Sequence, residues 1–83
     1  MRVTIKYFAS IREAVGVSGE TVDTGAATLA ALRDELIARG GSLADSLAHG
    51  RAVRMALDQV MSDESAMLAE GAEVAFFPPV TGG

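Results

Sequence analysis

The alternation of hydrophobic and polar positions predicts four strands along this chain. Residues 2–7 alternate strictly, with the apolar side chains at the odd positions, which is the period of a half-buried strand. Residues 20–24 lie between two glycines and predict a second strand that returns antiparallel to the first. The same reasoning predicts a third strand over residues 53–58 and a final, strongly apolar strand over residues 73–77.

A different spacing of apolar residues predicts one long helix in the middle of the chain. Thr28 is a suitable N-cap, a leucine stripe with helical spacing runs from Leu29 to Leu36, and Gly40 ends the pattern. A shorter helix is predicted over residues 42–49.

A further short helix is predicted over residues 10–15, directly after the first strand. Ser10 and Glu13 have the spacing of a capping box, and Gly16 is a typical C-terminal stop.

The order of these elements, β-β-α-(α)-β-β, predicts an α+β fold. A four- to five-stranded mixed sheet packed on one main helix, with the first and last strands parallel in its centre, satisfies the order and places the most apolar strand inside. This is the β-grasp, or ubiquitin-like, architecture; a ferredoxin-like fold is the competing interpretation. We expect one domain over residues 1–77 and a flexible, extended C-terminal tail over residues 78–83.

The tail carries the most specific chemistry in the sequence. The chain ends FFPPVTGG; proline fixes φ and lacks an N–H, so neither a strand nor a helix continues through Pro78 and Pro79. The four residues after Pro79 span at most roughly 14 Å. Because Gly82 and Gly83 have no side chains to obstruct a narrow channel, the reactive group of the tail must be the C-terminal carboxylate of Gly83.

Composition narrows the class of protein. The 83 residues suit a single domain with a modest core, and none of them is a cysteine, which excludes disulfides and thiolate chemistry. The net charge of −4, with a single lysine, argues against a nucleic-acid partner. No apolar run approaches the length of a membrane span. We therefore expect a cytoplasmic protein that binds other proteins or small molecules.

The sequence offers little catalytic machinery of its own. His49 is the only histidine, so a metal site or a Ser-His pair lacks support, and a solvated or helix-capping role is the simpler interpretation. Asp63 and Glu64 are neighbouring carboxylates in a turn-like segment, where a solvated loop explains them. We predict no independent catalysis and no bound metal or cofactor.

The aromatic residues suggest a docking surface beside the tail. Phe8 and Phe77 have the opposite parity to Tyr7 and Phe76, so if the latter two face the helix, the former two emerge together on the other face of the sheet. An exposed aromatic patch of this kind, which Met61 could join, favours protein docking. Simple core packing is the alternative.

Motifs at both ends of the chain resemble one family. Residues 76–83 (FFPPVTGG), preceded by LxxGxEV over residues 68–74, and KYFAxxRE over residues 6–13 are similar to the β-grasp sulfur carriers that form the small subunit of molybdopterin synthase. The resemblance covers essentially the whole chain. Asp58 and Ala72 depart from the usual pattern, and neither lies in the tail.

The resemblance implies a function for the tail. In that family an ATP-dependent activating enzyme adenylates the terminal glycine, and a sulfur-donating enzyme then supplies the sulfur of a C-terminal thiocarboxylate. The tail inserts into the large synthase subunit and donates the sulfur to cyclic pyranopterin monophosphate, which forms the dithiolene of molybdopterin. ATP belongs to the activating enzyme, and the implied assembly is a heterotetramer of two small and two large subunits.

The resemblance also implies a role for each residue near the tail. Gly83 carries the sulfur, and the remaining positions bind or orient: Gly82 gives clearance, Thr81 and Val80 hold the tail in the channel, Pro78 and Pro79 set its exit direction, and Phe8, Met61 and Phe77 dock the partner.

Three other functions are compatible with the sequence. One is a sulfur carrier of another pathway, such as thiamine or tungsten-pterin synthesis. Another is a ubiquitin-like modifier that joins Gly83 to target lysines, and the last is a binding module with an inert tail.

Overall fold

A computed structural model of the protein describes residues 1–79, with the element order expected for a mixed α+β fold. The strands and helices are β1 (Arg2–Tyr7), α1 (Ala9–Val15), β2 (Gly19–Asp23), α2 (Leu29–Ala38), α3 (Gly41–Leu47), β3 (Arg54–Leu57), β4 (Val60–Ser62) and β5 (Glu73–Phe77).

The five strands form one sheet in the order β2-β1-β5-β3-β4. The first and last strands lie side by side and parallel, with Ile5 opposite Val74 and Tyr7 opposite Phe76, whereas the other neighbours are antiparallel. The predicted mixed sheet with a parallel centre is confirmed. Because β1 and β5 run in the same direction, the residues that follow each of them emerge at the same edge of the sheet.

The core lies between one face of the sheet and α2. Tyr7 and Phe76 are 1% and 0% exposed, and the leucine stripe of α2 is buried against them. The predicted N-cap is confirmed, since the Thr28 hydroxyl accepts a hydrogen bond from the Ala31 N–H at 3.2 Å. Burial of this apolar face, more than helix propensity, stabilises α2.

The predicted capping box of α1 is wrong. The N-cap is Phe8, no side chain caps the helix, and Ser10 lies inside it. The Phe8 carbonyl accepts from the N–H groups of both Ile11 and Arg12, at 3.1 and 3.3 Å, so the first turn closes on the backbone alone. The predicted stop at Gly16 is confirmed by its left-handed φ of 92°.

Strand β4 has no counterpart among the four predicted strands. A two-residue turn, Asp58-Gln59, follows β3, and both of its residues have positive φ, 50° and 70°. This is the geometry of a type I′ hairpin, and it pairs Leu57 with Val60. The sheet therefore has five strands, the upper limit of the prediction.

None of the helices in residues 1–79 is long and apolar enough to cross a membrane.

Candidate functional site

Two aromatic pairs at the end of the central strands lie on opposite faces of the sheet. The rings of Tyr7 and Phe76 stack 6.3 Å apart in the core. The rings of Phe8 and Phe77 stack 4.7 Å apart, nearly parallel, with Phe8 exposed and Phe77 half-buried. The predicted parity is confirmed: the sheet separates a core pair from a surface pair.

The backbone ties the surface pair to the end of β5. The Phe8 N–H donates to the Phe76 carbonyl at 3.2 Å, which extends the β1–β5 pairing by one residue. This hydrogen bond holds the end of β5 next to the residue that follows β1.

An open groove of about 530 Å³ runs beside this aromatic pair. Met61, 57% exposed, lies on β4 opposite Ala56, and Arg54 lies on β3 opposite Phe77. The structure thus brings together the predicted docking residues and adds Ala9 and Arg54 to them. The groove is lined by Phe8, Ala9, Arg54, Met61, Phe77, Pro78 and Pro79.

A second, smaller cavity of about 250 Å³ lies on the other side of the tail root, which we define as Pro78 and Pro79. Helices α1 and α3 line it, together with Arg51 and the two prolines. The tail root therefore forms the ridge between two depressions. Val80, Thr81, Gly82 and Gly83 lie outside the described residues, so the roles predicted for them stay predictions.

A hydrogen-bond network around the buried Tyr7 supports the end of β1, directly before Phe8. The Tyr7 hydroxyl donates to Glu20 Oε2 at 2.7 Å, and Glu20 Oε1 accepts from Arg39 Nη1 at 2.9 Å. Burial, followed by the hydrogen bond to Glu20, raises the pKa of Tyr7 well above its usual range. The network links β1, β2 and the C-terminus of α2, and the sequence analysis did not find it.

A buried arginine fixes the loop that carries Arg51. Arg33 is 3% exposed, and its guanidinium donates to the carbonyls of Leu47, Ala48 and Arg51 at 2.7, 2.8 and 3.2 Å. It also forms an ion pair with Glu64 at 2.6 Å. One signal was available, because position 33 follows Leu29 by four residues and so lies on the buried stripe of α2.

The solvated loop predicted for Asp63 and Glu64 is only part of what the structure shows. Asp63 is exposed and accepts hydrogen bonds from the Ser65 side chain and N–H, which lowers the pKa of Asp63. Glu64, in contrast, is the ion-pair partner of Arg33.

His49 is exposed and forms a pair with Asp34 at 2.5 Å. Residues 1–79 contain no group of three or more side chains arranged to hold a metal ion.

A five-stranded mixed sheet with parallel central strands, packed on one helix and continuing into a proline-led tail, defines a β-grasp protein of the ubiquitin-like class. Known structures agree: SAMP1, the small archaeal modifier protein of Haloferax volcanii, aligns over 100% of both chains with a TM-score of 0.82 and 27% identity. The complex of subunits 1 and 2 of the molybdopterin-converting factor of Helicobacter pylori contains a chain that aligns over 100% of both chains, with a TM-score of 0.70 and 26% identity.

The sequence comparison is more specific than the fold. The ThiS family matches residues 5–83, and the chain belongs to that family. The molybdopterin synthase sulfur carrier subunit of Escherichia coli is 37% identical over 81 residues, which cover 98% of this chain and 99% of the relative. The resemblance identified from the end motifs is confirmed at the level of the family.

Proposed function

We propose that this protein is the sulfur carrier subunit of a molybdopterin synthase and that Gly83 carries the sulfur as a thiocarboxylate. The observation that carries the proposal is the tail root: β5 ends in Phe77, which stacks on Phe8, and Pro78 and Pro79 follow it and line a groove suited to a partner. Two full-length relatives named as sulfur carrier subunits of molybdopterin synthase, at 35% and 37% identity, support it.

The chemistry requires activation of the terminal carboxylate. A carboxylate is ionised at neutral pH and is a poor acyl electrophile. Adenylation by ATP in an activating enzyme releases pyrophosphate and forms an acyl adenylate at Gly83. Hydrosulfide then displaces AMP and gives the thiocarboxylate directly. Where the donor is an enzyme persulfide, its outer sulfur displaces AMP to give an acyl disulfide, and a second thiol of the donor cleaves the S–S bond, which releases the thiocarboxylate and leaves a disulfide on the donor. ATP is bound by the activating enzyme, and this chain holds no cofactor of its own.

The second half of the cycle takes place in the large subunit. The tail enters its active site, where the thiocarboxylate sulfur attacks a side-chain carbon of cyclic pyranopterin monophosphate and displaces an oxygen substituent from it, which links chain and pterin as a thioester. Water then attacks the acyl carbon, so that the sulfur stays on the pterin and Gly83 returns to a carboxylate. A second thiocarboxylated chain supplies the other sulfur of the dithiolene in the same way. We propose a cytoplasmic heterotetramer of two small and two large subunits, in which Phe8, Met61 and Phe77 form the docking surface.

Intact mass tests the first half of the cycle. The purified chain is incubated with the activating enzyme, ATP and a sulfur source, and we expect a mass increase equal to the exchange of one oxygen for one sulfur. A chain that lacks Gly83 is the control and should gain nothing. No increase in the full chain, or the same increase in the control, would overturn the assignment.

A ubiquitin-like modifier is the second candidate, favoured by the fold similarity to SAMP1. Both functions begin with adenylation of Gly83 but end differently, since a modifier forms an isopeptide bond to a lysine. An immunoblot of the native host would separate them: a ladder of higher-mass conjugates that disappears when Gly83 is deleted supports the modifier.

A further inference from the structure

The cationic side chains of this acidic protein are unevenly distributed. Among residues 1–79, four of the seven Lys and Arg side chains form ion pairs: Arg2, Lys6, Arg33 and Arg39. The other three, Arg12, Arg51 and Arg54, are exposed and make no ion pair within that part of the chain.

Two of these arginines line the depressions that flank the tail root, and the third lies beside Phe8, whose ring stacks on Phe77. Arg54 lines the groove that contains Phe8 and Phe77. Arg51 lines the cavity on the other side of Pro78 and Pro79, where Asp45 is the acidic neighbour but is not within ion-pair distance. Arg12 follows Phe8 on α1 and shares with it a depression beside β1 and β2. We call Arg12, Arg51 and Arg54 the arginine triad.

From this arrangement we infer that the protein receiving the tail presents carboxylates around the mouth of its tail channel, and that these meet the arginine triad. The inference rests on the proposed function and names the surface chemistry of the partner, here the large synthase subunit. The other four cations of the chain are outnumbered by its eleven Asp and Glu side chains, and of these Asp45 and Glu20 share a depression with a triad arginine. An acidic partner is therefore attracted to this end of the molecule more than to its other faces. The electrostatic attraction between the arginines and the partner's carboxylates turns this end of the chain toward the partner before the two proteins touch.

Other occupants of this surface fit the charges less well. A symmetric dimer built on it would place each arginine close to those of the second copy, which is unfavourable. The tail of the same chain has a single carboxylate, at Gly83, and cannot balance three cations. A nucleic acid would meet only three unpaired cations on a protein of net charge −4, which is too few for strong phosphate binding.

Association kinetics with the large subunit test the inference. Arg12→Glu and Arg54→Glu are compared with Arg2→Glu, which changes the net charge equally but lies at the far end of β1, roughly 16 Å from Tyr7 along the strand. For wild type we expect an association rate that falls as salt is raised. At low salt, each triad variant should associate roughly three- to tenfold more slowly and depend less on salt, whereas Arg2→Glu should stay within about twofold of wild type.

Each outcome decides a different claim. Equal slowing of all three variants, faster association of a triad variant, or a wild-type rate that ignores salt would overturn the inference and leave the sulfur-carrier function standing. Salt-resistant dimerisation of the chain through this face, lost in Arg54→Glu, would also overturn it. No association of wild type with the large subunit would overturn the proposed function together with the inference. Unchanged melting temperatures confirm that the variants fold.

Discussion

At the scale of single residues, neighbouring aromatics with similar chemistry have different environments. Phe76 is fully buried beside Tyr7, whereas Phe77, one position later, is half-buried and stacks on the exposed ring of Phe8. Successive side chains of a strand point to opposite faces of the sheet. The change of face at the end of β5 therefore separates the residue that stabilises the fold from the residue proposed to dock the partner.

Phe77→Ala should weaken partner binding more than it weakens folding. We expect a loss of about 2 kcal/mol or more in binding to the large subunit, as for an aromatic anchor, and a loss of no more than about 1 kcal/mol in the free energy of unfolding. Titration calorimetry and urea unfolding measure the two quantities.

Phe76→Ala is the matched control, because the same truncation in the core should cost about 3–5 kcal/mol of folding stability. Comparable losses of binding and stability for Phe77→Ala would show that Phe77 acts as a core residue and would contradict its docking role.

Gly82→Ala and Gly83→Ala should each impair sulfur transfer by about a hundredfold, because a methyl group displaces the reacting carbon in a channel shaped to bare backbone. Their melting temperatures should equal that of wild type. The measurement is the rate of pterin product formation in the reconstituted synthase. A variant that melts at a clearly lower temperature would show that the tail contributes to the fold, contrary to the proposal.

At the scale of elements, the β3–β4 hairpin shows why β4 was not predicted from the sequence. Its turn, Asp58-Gln59, adopts positive φ at both residues, yet the sequence lacks the Asn-Gly or Asp-Gly pair that signals such a turn. Asp58 tolerates the geometry because its Oδ1 accepts from the Glu73 N–H at 3.0 Å and its own N–H donates to the Glu73 carbonyl at 2.8 Å. The turn is therefore fixed by β5, a contact remote in sequence.

Gln59→Gly should stabilise the protein by roughly 0.5–1 kcal/mol, since glycine adopts positive φ without the steric cost that glutamine bears. Asp58→Gly is the paired variant and should give no gain, because it also removes the hydrogen bond to Glu73. Urea unfolding of both variants checks the prediction. A loss of stability in Gln59→Gly would contradict it.

Because of the tyrosine network that joins β1, β2 and α2, we predict that the free energy of unfolding decreases at alkaline pH. The pKa of Tyr7 is raised in the folded protein by burial and by the hydrogen bond to Glu20. The unfolded chain therefore releases the phenolic proton first, so the stabilisation is fully present below pH about 10 and is lost as pH rises above it, by up to about 1.4 kcal/mol per pH unit.

Tyr7 is the only tyrosine and the chain has no tryptophan, so tyrosinate absorbance reports on this residue alone. We expect that absorbance to develop together with the loss of circular dichroism, and Tyr7→Phe to show a weaker alkaline dependence. Tyrosinate formation near pH 10 in a protein with intact circular dichroism would contradict the network.

Local patterns predicted the elements of this fold well where local forces decide them. Strict alternation gave β1 and the opposite parities of Phe8 and Phe77, and helical spacing after a threonine gave α2 with its cap. The hairpin turn and the buried role of Arg33 depend on contacts between residues far apart in sequence. A single sequence does not reveal those contacts.

At the scale of the whole molecule, the parallel pairing of the first and last strands organises the site. It places Phe8 beside Phe77, and therefore joins the two end motifs of the sequence into one surface around the tail root. Arg51 and Arg54 flank the same point and Arg12 lies beside Phe8, in a chain whose net charge is −4. Fold, aromatic surface and charge distribution together favour a protein that presents its C-terminus to a partner.

The central claim is that the sulfur carried on Gly83 becomes dithiolene sulfur of the pterin product, with two carrier chains used for each pterin. The most direct measurement mixes the purified thiocarboxylate form with the large subunit and cyclic pyranopterin monophosphate, without ATP or any sulfur donor. We predict that molybdopterin forms while the chain loses the added mass and returns to the carboxylate. Loss of the added mass without any pterin product, or equal product from a chain that lacks Gly83, would contradict the account.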